Sequence, residues 1–269
     1  MLKNIACDAY LNLIDRGSAC SRIFGMLLNF KQGGQYLPEC QYRYFILKAN
    51  ILVERGSACS GLSKQDKMVL MGHSFGTLVA MFYYMKYPEH VKGIILTATM
   101  APYISEDKPF SEMLKEIHKR CEDLRTRPEV TTELANAGLS NGSELSPRQR
   151  SDKYKITGLA SFNMFNIANW RKFKGGAIYY NPLVDNAVGE SIPDTYDIRP
   201  TLHMHPVPIT IIQGDKDYID PSAGYWTSVF SDYDFVKLNV VKNASHYSWL
   251  DDKLKFDESL RQAIDRMKN

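Results

Sequence analysis

Met68-Val69-Leu70-Met71-Gly72-His73-Ser74-Phe75-Gly76-Thr77-Leu78-Val79-Ala80-Met81-Phe82 is the stretch whose reading decides the fold. Its first four residues are a short apolar run that predicts a buried strand, and from Thr77 apolar residues recur at helical spacing until Pro88 stops them. Between the two lies Gly72-His73-Ser74-Phe75-Gly76, a G-x-S-x-G sequence. A strand that passes directly into a helix needs a sharp turn. Glycines two before and two after the serine remove Cβ atoms that would strike the strand or helix beside them. The Ser74 hydroxyl is then left exposed at the strand's end. Because a helix begins there, the backbone N–H of Phe75 is expected to face the place where an oxyanion would form on a carbonyl attacked by Ser74. The competing reading is a chance Gly/Ser turn, and the strand and helix flanks argue against it.

A serine hydroxyl is a weak nucleophile at neutral pH and needs a base, which in turn needs an orienting acid. Val207-Pro208-Ile209-Thr210-Ile211-Ile212 is a second strand-like run, ending in the acid-rich turn Gln213-Gly214-Asp215-Lys216-Asp217-Tyr218-Ile219-Asp220-Pro221. Phe235 to Val241 is a third, followed by Asn243-Ala244-Ser245-His246. Open parallel sheets place their sites at the C-terminal ends of the strands, which is where all three candidates fall. With Asp217 as the acid, the chain order is Ser74, Asp217, His246. The other histidines fit less well. His203 and His205 lack a cysteine or acidic cluster that would make a zinc site, and are read as a loop leading into the strand. His73 reads as a packing residue beside the nucleophile, and His90 and His118 have no strand-end context.

From these residues the chain resembles the α/β-hydrolase superfamily over residues 66–269, and some stretches resemble its proline iminopeptidase branch, serine peptidase family S33. Tyr87 to Leu96 is similar to the family's link from the helix after the serine to the next strand. Gly214-Asp215-Lys216-Asp217 followed by Pro221 is similar to its G-x-x-D-x-x-x-P acid turn, which selects Asp217 over Asp215, and Ser245-His246 to its histidine loop. Arg16-Gly17-Ser18 and Arg55-Gly56-Ser57 partly match its D-Q-R-G-x-G-x-S segment. The resemblance implies an α/β-hydrolase fold: a mostly parallel sheet flanked by helices, with a helical cap insertion. It also implies a Ser74, Asp217, His246 triad, Phe75 N–H in the oxyanion hole, and no metal or organic cofactor. In the iminopeptidase branch, acidic cap residues hold the substrate's free amino terminus. Glu112, Glu116, Glu122, Glu129, Glu133 and Glu144 are the candidates.

The amino-terminal part departs from this pattern. Only 73 residues precede Ser74, no His-Gly dipeptide occurs among them, and Arg-Gly-Ser-Ala-Cys-Ser appears twice, at 16–21 and 55–60. Six repeated residues with divergent surroundings do not make a structural repeat. A rearranged, truncated or mis-assembled beginning is the preferred reading, with the strands of the first sixty residues incomplete and the second oxyanion donor unassigned.

Composition fits one globular enzyme: 269 residues with 44% hydrophobic content can bury a sizeable core. A net charge of +3 gives no case for nucleic acid. Five cysteines without C-x-x-C spacing argue for free thiols in a reducing compartment. With no signal-like h-region and no run long enough to span a bilayer, a cytoplasmic location without membrane contact is expected. The pattern turns helical and polar between Pro102 and Pro200, which divides the chain into residues 1–103 of the core, a cap at 104–199, and core again at 200–269. In the cap, Glu112–Arg127 reads as an amphipathic helix, and Ser146-Pro147 as an N-cap and first helical residue. Phe162, Met164, Phe165, Ile167 and Trp170 read as cap core that partly faces the cleft. The expected activity is a serine hydrolase working through an acyl-enzyme, most readily an aminopeptidase releasing N-terminal proline or a similar small residue. Carboxylesterase action on small esters is the alternative, and a catalytically impaired hydrolase-like chain with an incomplete core is another. The partner in each active case is a small peptide or ester substrate.

Overall fold

The computed structural model describes residues 67–140, 145–173, 192–231 and 233–268. Both Arg-Gly-Ser copies, four of the five cysteines, Glu144 and the expectations about the first sixty residues lie outside the described residues. The expected strand is β1, Met68–His73, and the expected helix is α1, Phe75–Lys86, with Ser74 alone between them. A 3-10 turn at Pro88–His90 leads to β2, Val91–Thr97, and then to the short β3, Tyr103–Ile104. A helical segment follows: α2, Phe110–Arg125; α3, Pro128–Asn136; α4, Pro147–Tyr154; a π-helical stretch, Lys155–Ala160; α5, Ser161–Asn163; and a 3-10 stretch, Ile167–Lys172. The chain continues through β4, Tyr196–Asp197, α6, Arg199–Met204, and β5, Ile209–Gly214. It ends with a 3-10 turn at Pro221–Ala223, α7, Gly224–Phe230, β6, Val236–Val241, α8, Ser248–Asp251, and α9, Lys253–Lys268.

The four long strands form a parallel sheet in the order β1-β2-β5-β6, and β3 pairs antiparallel with β4. Alternate side chains leave opposite faces of a strand, and both faces here are covered. Leu70, Ile94, Leu96, Ile209 and Ile211 join the layer containing Leu78, Met81, Tyr84 and Trp226. Val69, Met71, Ile95, Ile212 and Val241 pack on the other side against Phe256, Ala263 and Met267 of α9. β5 has a strand on each side and is buried at all six positions. Its polar Gln213 is satisfied: Oε1 accepts from Thr99 N–H at 2.8 Å and Nε2 donates to the Asp220 carbonyl at 3.0 Å.

The helical segment has a core of its own, with Val130, Leu139, Ile156, Ala160, Met164 and Ile167 buried together. α2 buries Phe110, Met113, Ile117 and Cys121, the one-sided stripe of an amphipathic helix. α4 starts as expected from Ser146. The Ser146 hydroxyl accepts from Gln149 N–H at 3.3 Å and the Gln149 side chain accepts from Ser146 N–H at 2.9 Å, a reciprocal cap. The loop expected around His203 and His205 is instead α6 as far as Met204, begun by Pro200 near its start, with His205 just past its end. Among the described residues, no helix is long and apolar enough to cross a membrane.

Candidate active site

Because the four strands run parallel, their C-terminal ends lie along one edge of the sheet. Ser74 follows β1, the acid turn follows β5, and the loop carrying His246 follows β6. Ser74 has φ 54° and ψ −126°, a backbone conformation that L-residues other than glycine rarely adopt. Such strain costs about 1–3 kcal/mol and persists only where neighbours impose it. Here Ser74 N–H donates to the Thr97 carbonyl at 3.0 Å, and the Ser74 carbonyl accepts from Thr77 N–H at 2.9 Å and from the Thr77 hydroxyl at 2.6 Å. A Cβ on Gly72 would lie 2.4 Å from the Gly76 carbonyl oxygen, which is the collision the two glycines avoid. The Ser74 side chain does not cap α1, so its hydroxyl is not consumed by the helix it precedes. Phe75 is the first residue of α1 and packs partly buried against the core.

The acid turn and the histidine loop are packed backbone to backbone. A Cβ on Gly214 would sit 2.4 Å from the carbonyl oxygens of both Ala244 and Ser245, and Lys216 N–H donates to the Ala244 carbonyl at 2.9 Å. Asp217 and His246 are both buried, and His246 Nδ1 lies 3.0 Å from Asp217 Oδ2 and 3.2 Å from Oδ1. A carboxylate can only accept, so Nδ1 carries the proton and Nε2 is the basic nitrogen of the neutral ring. Asp217 Oδ1 also accepts from Ile219 N–H at 2.9 Å, which fixes the carboxylate's rotation. The Tyr218 ring packs 4.8 Å from His246 and 5.1 Å from Phe162.

The turn's other acids are used elsewhere. Asp215 Oδ1 accepts from Ala244 N–H at 3.3 Å, and the Asp220 carboxylate accepts from Tyr225 N–H at 3.0 and 3.2 Å, holding the start of α7. Burial raises the Asp220 carboxyl to about 7. His73 packs among rings, 4.9 Å from His246 and 4.7 Å from Trp249, while its Nδ1 meets the Thr97 hydroxyl at 3.0 Å. Burial, and then the neighbouring His246, holds its pKa well below the usual histidine value. This residue links the turn carrying Ser74 to the histidine loop.

Of the glutamates considered for a substrate amine, the five among the described residues are exposed or engaged. Glu112, Glu116, Glu122 and Glu129 are exposed, Glu116 pairing with Lys108 at 2.9 Å and Glu122 with Arg125. Glu133 is buried and accepts from the Trp170 indole at 2.7 Å and from the Arg171 guanidinium. The aromatic stretch divides by position. Met164 and Ile167 are buried in the helical segment's own cluster with Trp170 against them, Phe162 joins the main core beside Tyr218, and Phe165 is 42% exposed.

Two contributors were not legible in the sequence. Tyr218 gives no signal beyond sitting next to an acid. Asp251 lies in the short α8, yet its carboxylate accepts four N–H groups: Phe165 at 2.8 Å, Ser245 at 3.0 Å, Asn166 at 3.2 Å and the Asn169 side chain at 2.9 Å.

Residues 62–253 match the protein family described as alpha/beta hydrolase fold. The chain belongs to this family. Among curated α/β hydrolases and their kin, the chain is 25% identical over 214 residues to the 1-acylglycerol-3-phosphate O-acyltransferase ABHD5 of Homo sapiens, covering 74% of this chain and 58% of that protein. It is 22% identical over 202 residues to a proline iminopeptidase of Saccharolobus solfataricus, covering 75% of this chain and 63% of that protein. The chain thus spans less than two thirds of the length of these relatives. Among solved structures, a thermophilic esterase from Thermogutta terrifontis aligns over 80% of this chain and 70% of its own, at 17% identity with a TM-score of 0.46.

Proposed function

We propose that this α/β-hydrolase family member is a serine hydrolase working through an acyl-enzyme. The observation that carries the reading is the strained Ser74 at the same sheet edge as a buried Asp217–His246 pair bonded at 3.0 Å. Ser74 Oγ attacks the acyl carbon as His246 Nε2 takes its proton. Asp217 keeps the imidazole in the Nδ1–H tautomer and stabilises the imidazolium that forms. The oxyanion is held by the Phe75 N–H at the start of α1. His246 then protonates the leaving group, whose departure yields the acyl-enzyme, and water attacks this ester by the reverse proton path. The described residues between 104 and 199 act as a cap over the strand ends, between the described stretches of core that precede and follow them.

The substrate we favour is a small carboxylic ester. Tyr218, itself backed by Phe162, gives the histidine an aromatic flank, which suits an apolar acyl or leaving group. The iminopeptidase reading needs a free carboxylate for the substrate amine, and Glu133 is taken by Arg171 and Trp170 while four others are exposed. Release of N-terminal proline is therefore the second reading, supported by the iminopeptidase relative.

The test is labelling with a fluorophosphonate probe, followed by turnover of short-chain esters against proline-linked chromogenic amides. Stoichiometric labelling should vanish in Ser74→Ala and His246→Ala, and esters should turn over faster than the amides. A soluble, cooperatively folded sample without a Ser74 adduct would sink the catalytic reading and leave the impaired, hydrolase-like one.

A further inference from the structure

The helical segment touches the histidine loop along one seam. Tyr247 N–H donates to the Asn163 carbonyl at 2.8 Å, the Ser245 hydroxyl lies 2.8 Å from the Phe162 carbonyl, and Lys172 Nζ donates to the Leu250 carbonyl at 2.6 Å. Tyr247 and Leu250 also pack against the buried cluster of Val130, Ile156 and Met164. Asp251 closes this seam. Its two oxygens offer about four lone-pair sites, and four N–H donors fill them. Three donors come from residues 165–169 of the helical segment. The fourth is Ser245 N–H, on the residue before His246.

We propose that Asp251 is a positioning residue which ties the placement of His246 to the placement of the cap, so that the cap cannot lift from this seam without disturbing the base. The role of His246 in this statement rests on the serine hydrolase reading, whereas the tie between cap and loop does not. No neutral side chain replaces the device: an asparagine there would turn an N–H toward groups that are themselves donors.

Hydrogen exchange of the full chain and its Asp251→Ala variant tests the tie without any need for activity. Amides at 165 and 166 and at 245 to 247 should exchange together at least about tenfold faster in the variant, while Ile211 and Ile212 in β5 stay unchanged. The low-field proton resonance of His246 Nδ1 should shift or broaden, which a purely structural contact in the cap would not cause. Labelling at Ser74 should slow by about tenfold or more. Faster exchange confined to one side of the seam, or an unaltered Nδ1 resonance, would overturn the proposal. If Asp251→Ala does not fold, Asn169→Ala decides, since it removes one cap-side donor only. Faster exchange at 245 to 247 in that variant supports the tie, and an unchanged loop overturns it. A parent protein that never labels would refute the hydrolase reading and leave the exchange result to stand by itself.

Discussion

At the scale of single residues, three acids within six positions of one turn have three different surroundings. Asp217 meets His246, Asp215 meets the Ala244 amide, and Asp220 meets the Tyr225 amide. Asp217→Asn should lower the turnover number by about 10⁴, because the amide permits the wrong imidazole tautomer. Asp215→Asn keeps an acceptor for Ala244 and should cost less than about tenfold, a contrast that steady-state kinetics on one ester will read. Asp220 is distinguished by pH. With its carboxyl near 7 in the fold against an ordinary 3.8, the folded state holds a proton that the unfolded chain has already released between those values. Its contribution to stability therefore falls as pH rises through that window, by up to about 4 kcal/mol. Asp220→Asn removes the titration and keeps an acceptor, so urea unfolding should find the variant more stable than its parent at about pH 8, with a flatter slope below it. The spacing from Gly214 to Pro221 pointed to Asp217 because a motif register is a local property. Nothing local pointed to Asp251, three of whose four partners lie more than eighty residues away in the chain.

At the scale of elements, the strands and the first helix were legible because their signals are short-range: apolar runs, glycines at a sharp turn, and proline as a stop. Ser146-Pro147 marked a helix start for the same reason. Ser146→Ala should cost about 1 kcal/mol in a denaturant titration, the usual worth of such a cap. The α6 helix was missed since only six residues form it, too few for a periodic pattern. Gly214 has an element-level role that composition hides. Its position at the end of β5 lets two loops share one backbone contact, so Gly214→Ala must push Ala244 and Ser245 away. That variant should lose about 1–3 kcal/mol of stability. It should also lose far more labelling at Ser74 than a surface variant of equal stability.

At the scale of the whole molecule, the described residues bury two layers on the sheet and a third cluster in the helical segment. The turn to helical and polar sequence after Pro102 was readable as a change of periodicity, but the seam between the helical segment and the histidine loop was not, since it depends on contacts distant in sequence. Ile156 lies fully buried in the helical segment's cluster. Ile156→Ala should therefore destabilise by about 2–5 kcal/mol, and if the cap follows the histidine loop the loss should appear in one cooperative transition. A separate early melting phase in calorimetry would mean that the cap unfolds by itself.

The backbone at Ser74 has a consequence for descent. At φ 54° a glycine would sit without steric strain, so a lineage with no need of a nucleophile would be relieved of about 1–3 kcal/mol of strain, less the roughly 0.5–1 kcal/mol by which glycine's extra freedom favours the unfolded chain. Where the strain is the larger of the two, drift toward glycine is downhill for the fold, and it would end the chemistry proposed for Ser74. Serine at this position is thus a standing cost to the molecule that carries it, and thermal denaturation of Ser74→Gly against Ser74→Ala would measure how large.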